Sequence, residues 1–512
     1  MIPDSFIARN AIYSIAIMQT AVAPLAFMYY VYYLATDELF FSFSSTIDTL
    51  LYYWLGCELI FYVFFQITRN RMQTPLPPVY PGPKERRTLY FNCINNIVEV
   101  EEWLVGWFMR SHNPEQQPMF EEIRRENLAE WIAWAFFAQP LENVLEDEEA
   151  TNEMQWMIDH FSDKFGVHFA PGYDEDIIAF RLTLDPVQAY HRPLVFYLSI
   201  ISMTYLNTFL LYFWGFKKFG PDIPSALSLW WSTSENASSS LSTQAAVSSS
   251  TTSTKRVAYW YREGKRSDKK PIVFIHGIGP GLLPYLKFVY HLLDIDAPLF
   301  CVEQPYVSMR CTEDVPSMHE TVQDLERMLH YHGFHDAVYV SHSLGTALTS
   351  WAVQHIPRTV AGVVMLDPIC FMLHYRDICV NFVYRIPKTA SESIVKFFAS
   401  SELYISYYIS RHFHWFQLAL YVTPKHPPRQ TRSSTRRRKS QHQNRTIRMP
   451  RATKIYLSEH DNIVNSSRVH EYLSNNGISS EVMAGLDHGW FLFKSVWQQQ
   501  ILDTISNYVS AK

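Results

Sequence analysis

The sequence predicts an α/β fold, in which helices cover a mostly parallel sheet. It also predicts that N-terminal helices, which precede this sheet in the chain, cross a membrane. After Lys255, short β-branched runs such as Ile272 to Ile275 alternate with helix-length segments, the order typical of a parallel sheet. Before that point, three apolar stretches are long enough to span the hydrocarbon of a bilayer. The composition agrees, because 18% of residues are charged and 15% are aromatic, which favours buried or lipid-facing surface.

Three charge-poor stretches predict transmembrane helices. They run from Ala11 to Ala35, from Ile47 to Ile67 and from Leu194 to Phe216. The first could instead be a signal peptide, because Ala21-Val22-Ala23 resembles a cleavage site, but its apolar run continues well past that point, which favours an anchor. Glu58 interrupts the second stretch. Since a carboxylate is costly in lipid, we expect Glu58 to face a partner helix or a polar cavity.

The orientation in the membrane stays open at this stage. Lysine and arginine concentrate on the cytoplasmic side of membrane proteins. Arg69 and Arg71 follow the second stretch and Lys217 and Lys218 follow the third, so three crossings place the two basic pairs on opposite sides. The sequence thus predicts a multi-pass membrane protein, which we expect in the endoplasmic reticulum or another endomembrane.

Changes in composition divide the chain into segments. A Ser/Thr-rich stretch has too little apolar content to fold alone, and an arginine-rich stretch has the composition of a disordered insertion. The predicted order is two transmembrane helices (1–68), a helical membrane-proximal domain (69–193), a third transmembrane helix (194–218), a Ser/Thr-rich linker (219–254) and the sheet domain (255–512), which contains the basic insertion (426–451).

Charge and cysteine usage argue against several classes of protein. A net charge of −5 is close to neutral for this length, so nothing global favours nucleic acid as a partner. The 6 cysteines are scattered and form no C-x-x-C pair, which argues against a disulfide scaffold and a zinc site. We expect neither a metal nor an organic cofactor.

The stretch "VYVSHSLGT" predicts a nucleophilic serine. Ser343 follows a predicted strand and precedes a predicted helix, where the G-x-S-x-G elbow of serine hydrolases exposes its hydroxyl. Gly345 fits this pattern, whereas Ser341 replaces its first glycine. Asp461 follows the next-to-last predicted strand and His488 follows the last, so a serine, an acid and a base occur in that order.

Together with His276-Gly277 after an early strand, these residues make the region from Lys255 to Lys512 resemble the α/β-hydrolases. The resemblance implies that Ser343 is the nucleophile, His488 the base and Asp461 the acid. It also implies that the amides of Leu344 and Ile278 form the oxyanion hole, with His276 and Gly277 in the oxyanion loop. Asp367, after the strand "VVMLDP", is a rival position for the acid.

The resemblance extends to two further regions. Residues 370–425 lie where this family inserts a cap, and their aromatic content suits an apolar lid. The N-terminal half, with its membrane helices and the segment "RLTLDPVQAYHRPL", is similar to uncharacterised fungal membrane-anchored α/β-hydrolases.

These expectations combine into a function. We expect a membrane-anchored serine hydrolase that cleaves an acyl ester of a lipid or another apolar molecule through an acyl-enzyme at Ser343. A serine at the elbow argues against a dehalogenase or an epoxide hydrolase, which use aspartate. A thioesterase, a peptidase, and a membrane scaffold that has the fold but no activity remain alternatives.

Overall fold

The computed structural model describes residues 4–113, 115–221, 257–266, 268–424 and 446–511. Most of the predicted linker, 219–254, and most of the predicted basic insertion, 426–451, lie outside the described residues.

Helices account for most of the chain before the sheet. These helices are α1 (Phe6–Thr36), α2 (Ser45–Arg71), α3 (Pro83–Ile94), α4 (Val100–Val105), α5 (Arg125–Phe137), α6 (Leu141–Leu145), α7 (Glu148–Phe165) and α8 (Leu194–Phe213). A two-stranded antiparallel ribbon, β1 (Phe108–Arg110) and β2 (Ile177–Ala179), lies among them.

An 8-stranded sheet forms the second half of the fold. Its strands are β3 (Lys217–Phe219), β4 (Tyr259–Arg262), β5 (Ile272–Ile275), β6 (Leu299–Val302), β7 (Ala337–His342), β8 (Val360–Leu366), β9 (Ala452–Ser458) and β10 (Ser480–Met483), in the order β10-β9-β8-β7-β5-β6-β4-β3. β3 and β4 are antiparallel to their neighbours, and the other pairs are parallel.

Helices join these strands and cover the sheet. They are α9 (Leu286–Leu292), α10 (Met318–Tyr331), α11 (Gly345–His355), α16 (Ser466–Asn475) and α17 (Ser495–Ser510). The predicted cap region between β8 and β9 holds α12 (Asp377–Cys379), α13 (Ala390–Ile394), α14 (Leu403–Arg411) and α15 (Trp415–Leu418). π-Helical turns, Val380–Tyr384 and Val395–Ser400, continue α12 and α13.

The three predicted transmembrane stretches fall on α1, α2 and α8, which are long and apolar enough to cross a membrane. The third prediction is wrong at its end. The helix stops at Phe213, and Lys217–Phe219 pairs with β4 as the edge strand β3. The sheet therefore begins before the predicted boundary at residue 255. In the sequence, the Ser/Thr-rich stretch lies between β3 and β4.

The helical region 69–193 does not form a domain with its own core. Most of its buried apolar residues belong to the same hydrophobic cluster as Tyr339 of β7 and Ile455 of β9. Hydrogen bonds reinforce this contact, because the indoles of Trp103 and Trp107 both donate to the carbonyl of His374. Helices α3 to α7 and the sheet therefore form one body.

Glu58 of α2 lies beside a partner helix. Its side chain is fully buried, and its carboxylate accepts hydrogen bonds from the amides of Leu194 (2.7 Å) and Val195 (3.4 Å). These amides are in the first turn of α8, where backbone N–H groups have no partner within the helix. A negative charge is also favourable at a helix N-terminus. Glu58 therefore caps α8.

Candidate active site

Ser343 occupies a sharp turn between β7 and α11. Its φ is +50°, in the left-handed region that residues other than glycine rarely adopt. Its amide donates to the carbonyl of Leu366 on the neighbouring strand β8 (3.0 Å), and its carbonyl accepts from the amide of Thr346 (2.9 Å). These bonds hold the turn in its strained conformation and leave the hydroxyl at the carboxyl edge of the sheet.

Two glycines let the backbone pack tightly around this turn. A Cβ on Gly345 would lie 2.6 Å from the carbonyl oxygen of His276 and would also collide with that of Ile275. A Cβ on Gly277 would lie 2.8 Å from the Cβ of Ser343. The first turn of α11 can therefore lie against the end of β5, and the loop after β5 can lie against Ser343, only because these positions lack side chains.

Ser341 replaces the first glycine of the usual elbow. Its side chain is fully buried, and its hydroxyl accepts a hydrogen bond from the hydroxyl of Thr349, one turn into α11 (2.8 Å). A buried hydroxyl costs free energy only when it lacks a partner. Thr349 therefore accommodates the departure from the glycine consensus.

A chain of hydrogen bonds joins Ser343, His488 and Asp461. His488 Nε2 lies 2.8 Å from the Oγ of Ser343, and His488 Nδ1 lies 2.7 Å from Oδ2 of Asp461. The other oxygen of Asp461 accepts from the amides of Ile463 and Val464, each at 2.8 Å. Asp461 is thus fixed by its own loop, and an imidazole oriented by a carboxylate can accept the proton of the hydroxyl.

Asp367, the rival acid, has different partners. It is fully buried, and it accepts from the amide and hydroxyl of Ser458 (2.6 and 2.9 Å) and from the amide of Gly489 (2.8 Å). These bonds join the end of β9 to the loop that carries His488. Asp367 therefore positions that loop, while Asp461 makes the direct contact with the imidazole.

Two carboxylates control the protonation of His488. Burial alone would lower its pKa, but the negative charge of Asp461, its hydrogen bond and the charge of Asp367 outweigh burial and raise the pKa. Burial, followed by repulsion from Asp461, raises the pKa of Asp367. The imidazolium that forms when His488 takes a proton is therefore stabilised at this site.

The loop after β5 is held by buried histidines and a tyrosine. His276 Nε2 accepts from the amide of Gln304 (3.0 Å), and burial lowers its pKa to about 4, so the ring is neutral. The amide of Gly277 donates to the hydroxyl of Tyr285 (3.1 Å), which lies 2.7 Å from Nδ1 of His342. The sequence identified this loop through His276 and Gly277, but it did not show the contribution of Tyr285.

The two residues whose amides are the predicted oxyanion donors line the same cavity as Ser343. Ile278 and Leu344 border it together with His488. Within the described residues, neither amide donates a hydrogen bond to another part of the chain. No other part of the described chain occupies them, and their role as oxyanion donors stays a prediction.

The cavity at Ser343 is small and apolar, with a volume of about 140 Å³. The cap supplies much of its wall, including Phe382, Val383, Val395 and Ala399. Leu182, from the helical region before α8, also borders it. Sequence reasoning missed Leu182, because no local pattern relates a loop near residue 182 to a serine at 343.

One group of potential metal ligands comes together in the described part of the chain, with ligand atoms within 4.8 Å of one another. It consists of Asp367, Asp461 and His488. Their atoms already take part in the hydrogen bonds given above. A cation would have to replace those bonds.

Comparisons with known proteins identify the fold. Residues 270–389 match the family model described as alpha/beta hydrolase fold. The comparison with curated proteins finds no match. The narrower likeness to fungal membrane-anchored proteins stays a prediction.

Similar solved structures include a carboxylesterase of the thaumarchaeon Nitrososphaera gargenis, which is 17% identical in sequence. The match covers 51% of this chain and 98% of that chain, with a TM-score of 0.32. Carboxylesterase CesB from Bacillus subtilis has 13% identity, covers 55% of this chain and 97% of its own, and has a TM-score of 0.31. Epoxide hydrolase A from Mycobacterium thermoresistibile has 13% identity, coverage of 49% and 95%, and a TM-score of 0.32. Similarity at this level says nothing about the reaction.

Replacing each carboxylate separately should distinguish the roles of Asp461 and Asp367. We expect Asp461→Asn to slow the modification of Ser343 by a fluorophosphonate by about 10³–10⁴, since the analogous change in a serine protease costs about 10⁴ in kcat. Asp367→Asn should slow it less, because His488 keeps its partner. The measurement is the rate of probe incorporation, with thermal unfolding as the control for folding.

The pH dependence of the same reaction provides a second readout. His488 must be neutral to accept a proton, so the rate should rise with pH and reach half its maximum above the ordinary histidine pKa of about 6.5. Asp461→Asn removes a charge that stabilises the imidazolium and should move this limb to lower pH. A larger loss of rate in Asp367→Asn than in Asp461→Asn would reverse the assignment of the acid.

Proposed function

We propose, on the premise that this chain carries an α/β-hydrolase fold domain, that it is a serine hydrolase of acyl esters. The observation that carries the proposal is the hydrogen-bonded chain from Ser343 through His488 to Asp461. A serine hydroxyl is a weak nucleophile until a neighbouring base accepts its proton, and these contacts supply that base.

The proposed reaction has two halves. His488 takes the proton of Ser343 as its Oγ attacks the acyl carbon, and then gives that proton to the departing alcohol. Water, activated by the same imidazole, releases the acid from the acyl-enzyme. Asp461 holds the ring in the required tautomer and stabilises the imidazolium.

The oxyanion that forms in each half requires hydrogen-bond donors placed in advance. We assign this role to the amides of Ile278 and Leu344. The bond from the amide of Gly277 to Tyr285 supports the choice, because it removes that neighbouring amide from consideration. The loss of one such donor in other enzymes costs about 10²–10³ in kcat.

The proposed substrate is an ester with an apolar acyl group. The cavity beside Ser343 is lined by aliphatic and aromatic side chains, and such a wall favours a hydrocarbon over a charged group. We further propose that the apolar helices of the chain hold it at a membrane, so that a lipid ester fits both features. An endomembrane location stays a prediction.

Esters, thioesters and peptides can all form an acyl-enzyme, so the assay must compare all three classes. We expect the purified full chain to hydrolyse p-nitrophenyl esters and to show a transient acyl adduct on the Ser343 peptide by mass spectrometry. Ser343→Ala should lose both, whereas Ser341→Ala, a nearby buried serine, should keep them. A folded wild-type protein that neither hydrolyses any of the three classes nor forms an adduct at Ser343 would instead support an inactive scaffold, and preferential cleavage of thioesters or peptides would change the substrate class.

Filling the cavity should change the acyl preference. Ala399→Phe places a ring against the proposed acyl chain, so kcat/KM for an octanoyl ester should fall at least about 10-fold, since one methylene in an apolar pocket is worth about 10–200-fold. The acetyl ester should change little. Ile386→Phe is the matched control, because Ile386 is an exposed cap residue outside the cavity. Equal losses for both esters would contradict the placement of the acyl chain.

A further inference from the structure

Helix α8 has the length and composition of a transmembrane helix. It has 20 residues without a charge, and it connects the helical region 69–193 to the sheet. Both of its ends, however, contact other segments of the chain. At the start, Glu58 caps its first turn, and the hydroxyl of Tyr197 donates to the carboxylate of Glu402 in the cap (2.7 Å).

The far end of α8 is attached to the sheet. The ring of Tyr212 packs against Trp260 of β4 with centroids 5.0 Å apart. Just beyond the helix, the carbonyl of Trp214 accepts from the side chain of Arg262 (2.9 Å). Ile200 near the start and Leu211 near the far end are buried in the hydrophobic clusters of the body, and Asn207 between them is also buried. The helix therefore lies along the body over its whole length.

The segments on either side of α8 also touch each other directly. The indole of Trp103, before α8, donates to the carbonyl of His374, after it (2.6 Å). In the opposite direction, the indole of Trp415 donates to the carbonyl of Ala135 (3.0 Å). A helix that crosses a bilayer would separate these partners by about 30 Å of hydrocarbon. These contacts and a crossing by α8 exclude each other.

We infer that α8 does not cross the membrane but lies on it, with its outward face against the acyl chains of the near leaflet. Buried positions repeat along one face at Tyr197, Ile200, Asn207 and Leu211. The opposite face is apolar and exposed, at Val195, Leu198, Met203, Leu206, Phe209 and Phe213. This inference rests on the membrane association proposed above.

The neighbouring hairpin gives the reason to assign lipid to that face. α1 and α2 pack against each other, and Tyr30 of α1 donates to the backbone of Tyr52 in α2. α8 begins beside Glu58 of α2. After Glu58, α2 continues toward the body and exposes the apolar side chains of Ile60, Phe64 and Ile67. α2 and α8, which meet at Glu58, thus both present exposed apolar side chains. In the inferred arrangement the hairpin crosses the bilayer, for which its helices are long and apolar enough, and α8 extends its lipid contact along the near leaflet.

The charges flanking the hairpin then agree on an orientation. Arg9, which donates to the carbonyl of Lys388, marks the body side of α1, and Arg69 and Arg71 end α2 on the same side. The connection between the two helices, residues 37–44, holds Asp37 and Glu38 but no lysine or arginine. By the positive-inside rule the whole body is cytosolic. The basic residues that follow α2 and those that follow α8 would lie on opposite sides of the membrane only if α8 crossed it.

Cysteine accessibility in sealed, cytosolic-side-out vesicles tests this topology on the full chain. Cys57 and Cys311 are replaced by serine, since the other cysteines are buried. Single exposed sites then report three segments: Glu38→Cys in the hairpin connection, Glu146→Cys before α8 and Lys287→Cys after it. We expect an impermeant maleimide to label Glu146→Cys and Lys287→Cys in intact vesicles and Glu38→Cys only after detergent. Labelling of Glu146→Cys and Lys287→Cys from opposite sides would overturn the inference, as would release of the protein by alkaline carbonate.

Nitroxide depth measurements test the lipid contact of α8. Labels at Leu198, Leu206 and Phe213 span about 22 Å along the helix axis. We expect all three to favour oxygen over a polar nickel reagent and to report similar depths in one leaflet. A maximum depth at Leu206 with two shallow ends would indicate a crossing. Access of the nickel reagent to all three would show that the face meets water. Ester hydrolysis by the same variants tests the proposed function separately.

Discussion

The close approach of two backbone segments at the carboxyl edge of the sheet determines the candidate site. Gly345 lets the first turn of α11 lie against the carbonyls of Ile275 and His276. Gly277 lets the loop after β5 reach the Cβ of Ser343. This contact places the hydroxyl of Ser343, the proposed oxyanion amides and His488 around one small cavity. The strained φ of Ser343 is retained because the surrounding strands fix both sides of the turn.

The other parts of the molecule complete this edge from outside. Asp367 connects the end of β9 to the histidine loop, and the cap closes the cavity with aliphatic and aromatic side chains. Leu182 brings the helical region before α8 to the same wall. The cap also packs against the hairpin of α1 and α2, since the ring of Tyr13 in α1 lies 5.5 Å from that of Phe397. The proposed acyl site is therefore one layer of helices away from the proposed membrane surface.

Much of the site could be predicted from the sequence, because Ser343, Asp461 and His488 each follow a strand with a clear local pattern. The choice between Asp461 and Asp367 depended on which carboxylate contacts His488, and that is decided by packing between distant segments. The same limit explains why the third apolar stretch was predicted to run to Phe216, whereas α8 ends at Phe213. A hydropathy window records the composition of α8 but not the contacts that fix both of its ends. Likewise, the Ser/Thr-rich stretch suggested a domain boundary because β3 is too short to be recognised before it.

A single glycine substitution tests most directly whether this close approach builds the site. Gly345→Ala should lower the midpoint of thermal unfolding, since overpacking costs about 1–3 kcal/mol, and should slow the reaction of Ser343 with a fluorophosphonate. Gly82→Ala is the matched control, because a Cβ there would have no neighbour within 4 Å. If the close approach builds the site, Gly82→Ala keeps the wild-type stability and rate, whereas Gly345→Ala loses both. Wild-type stability and rate in Gly345→Ala would contradict this role of the close approach.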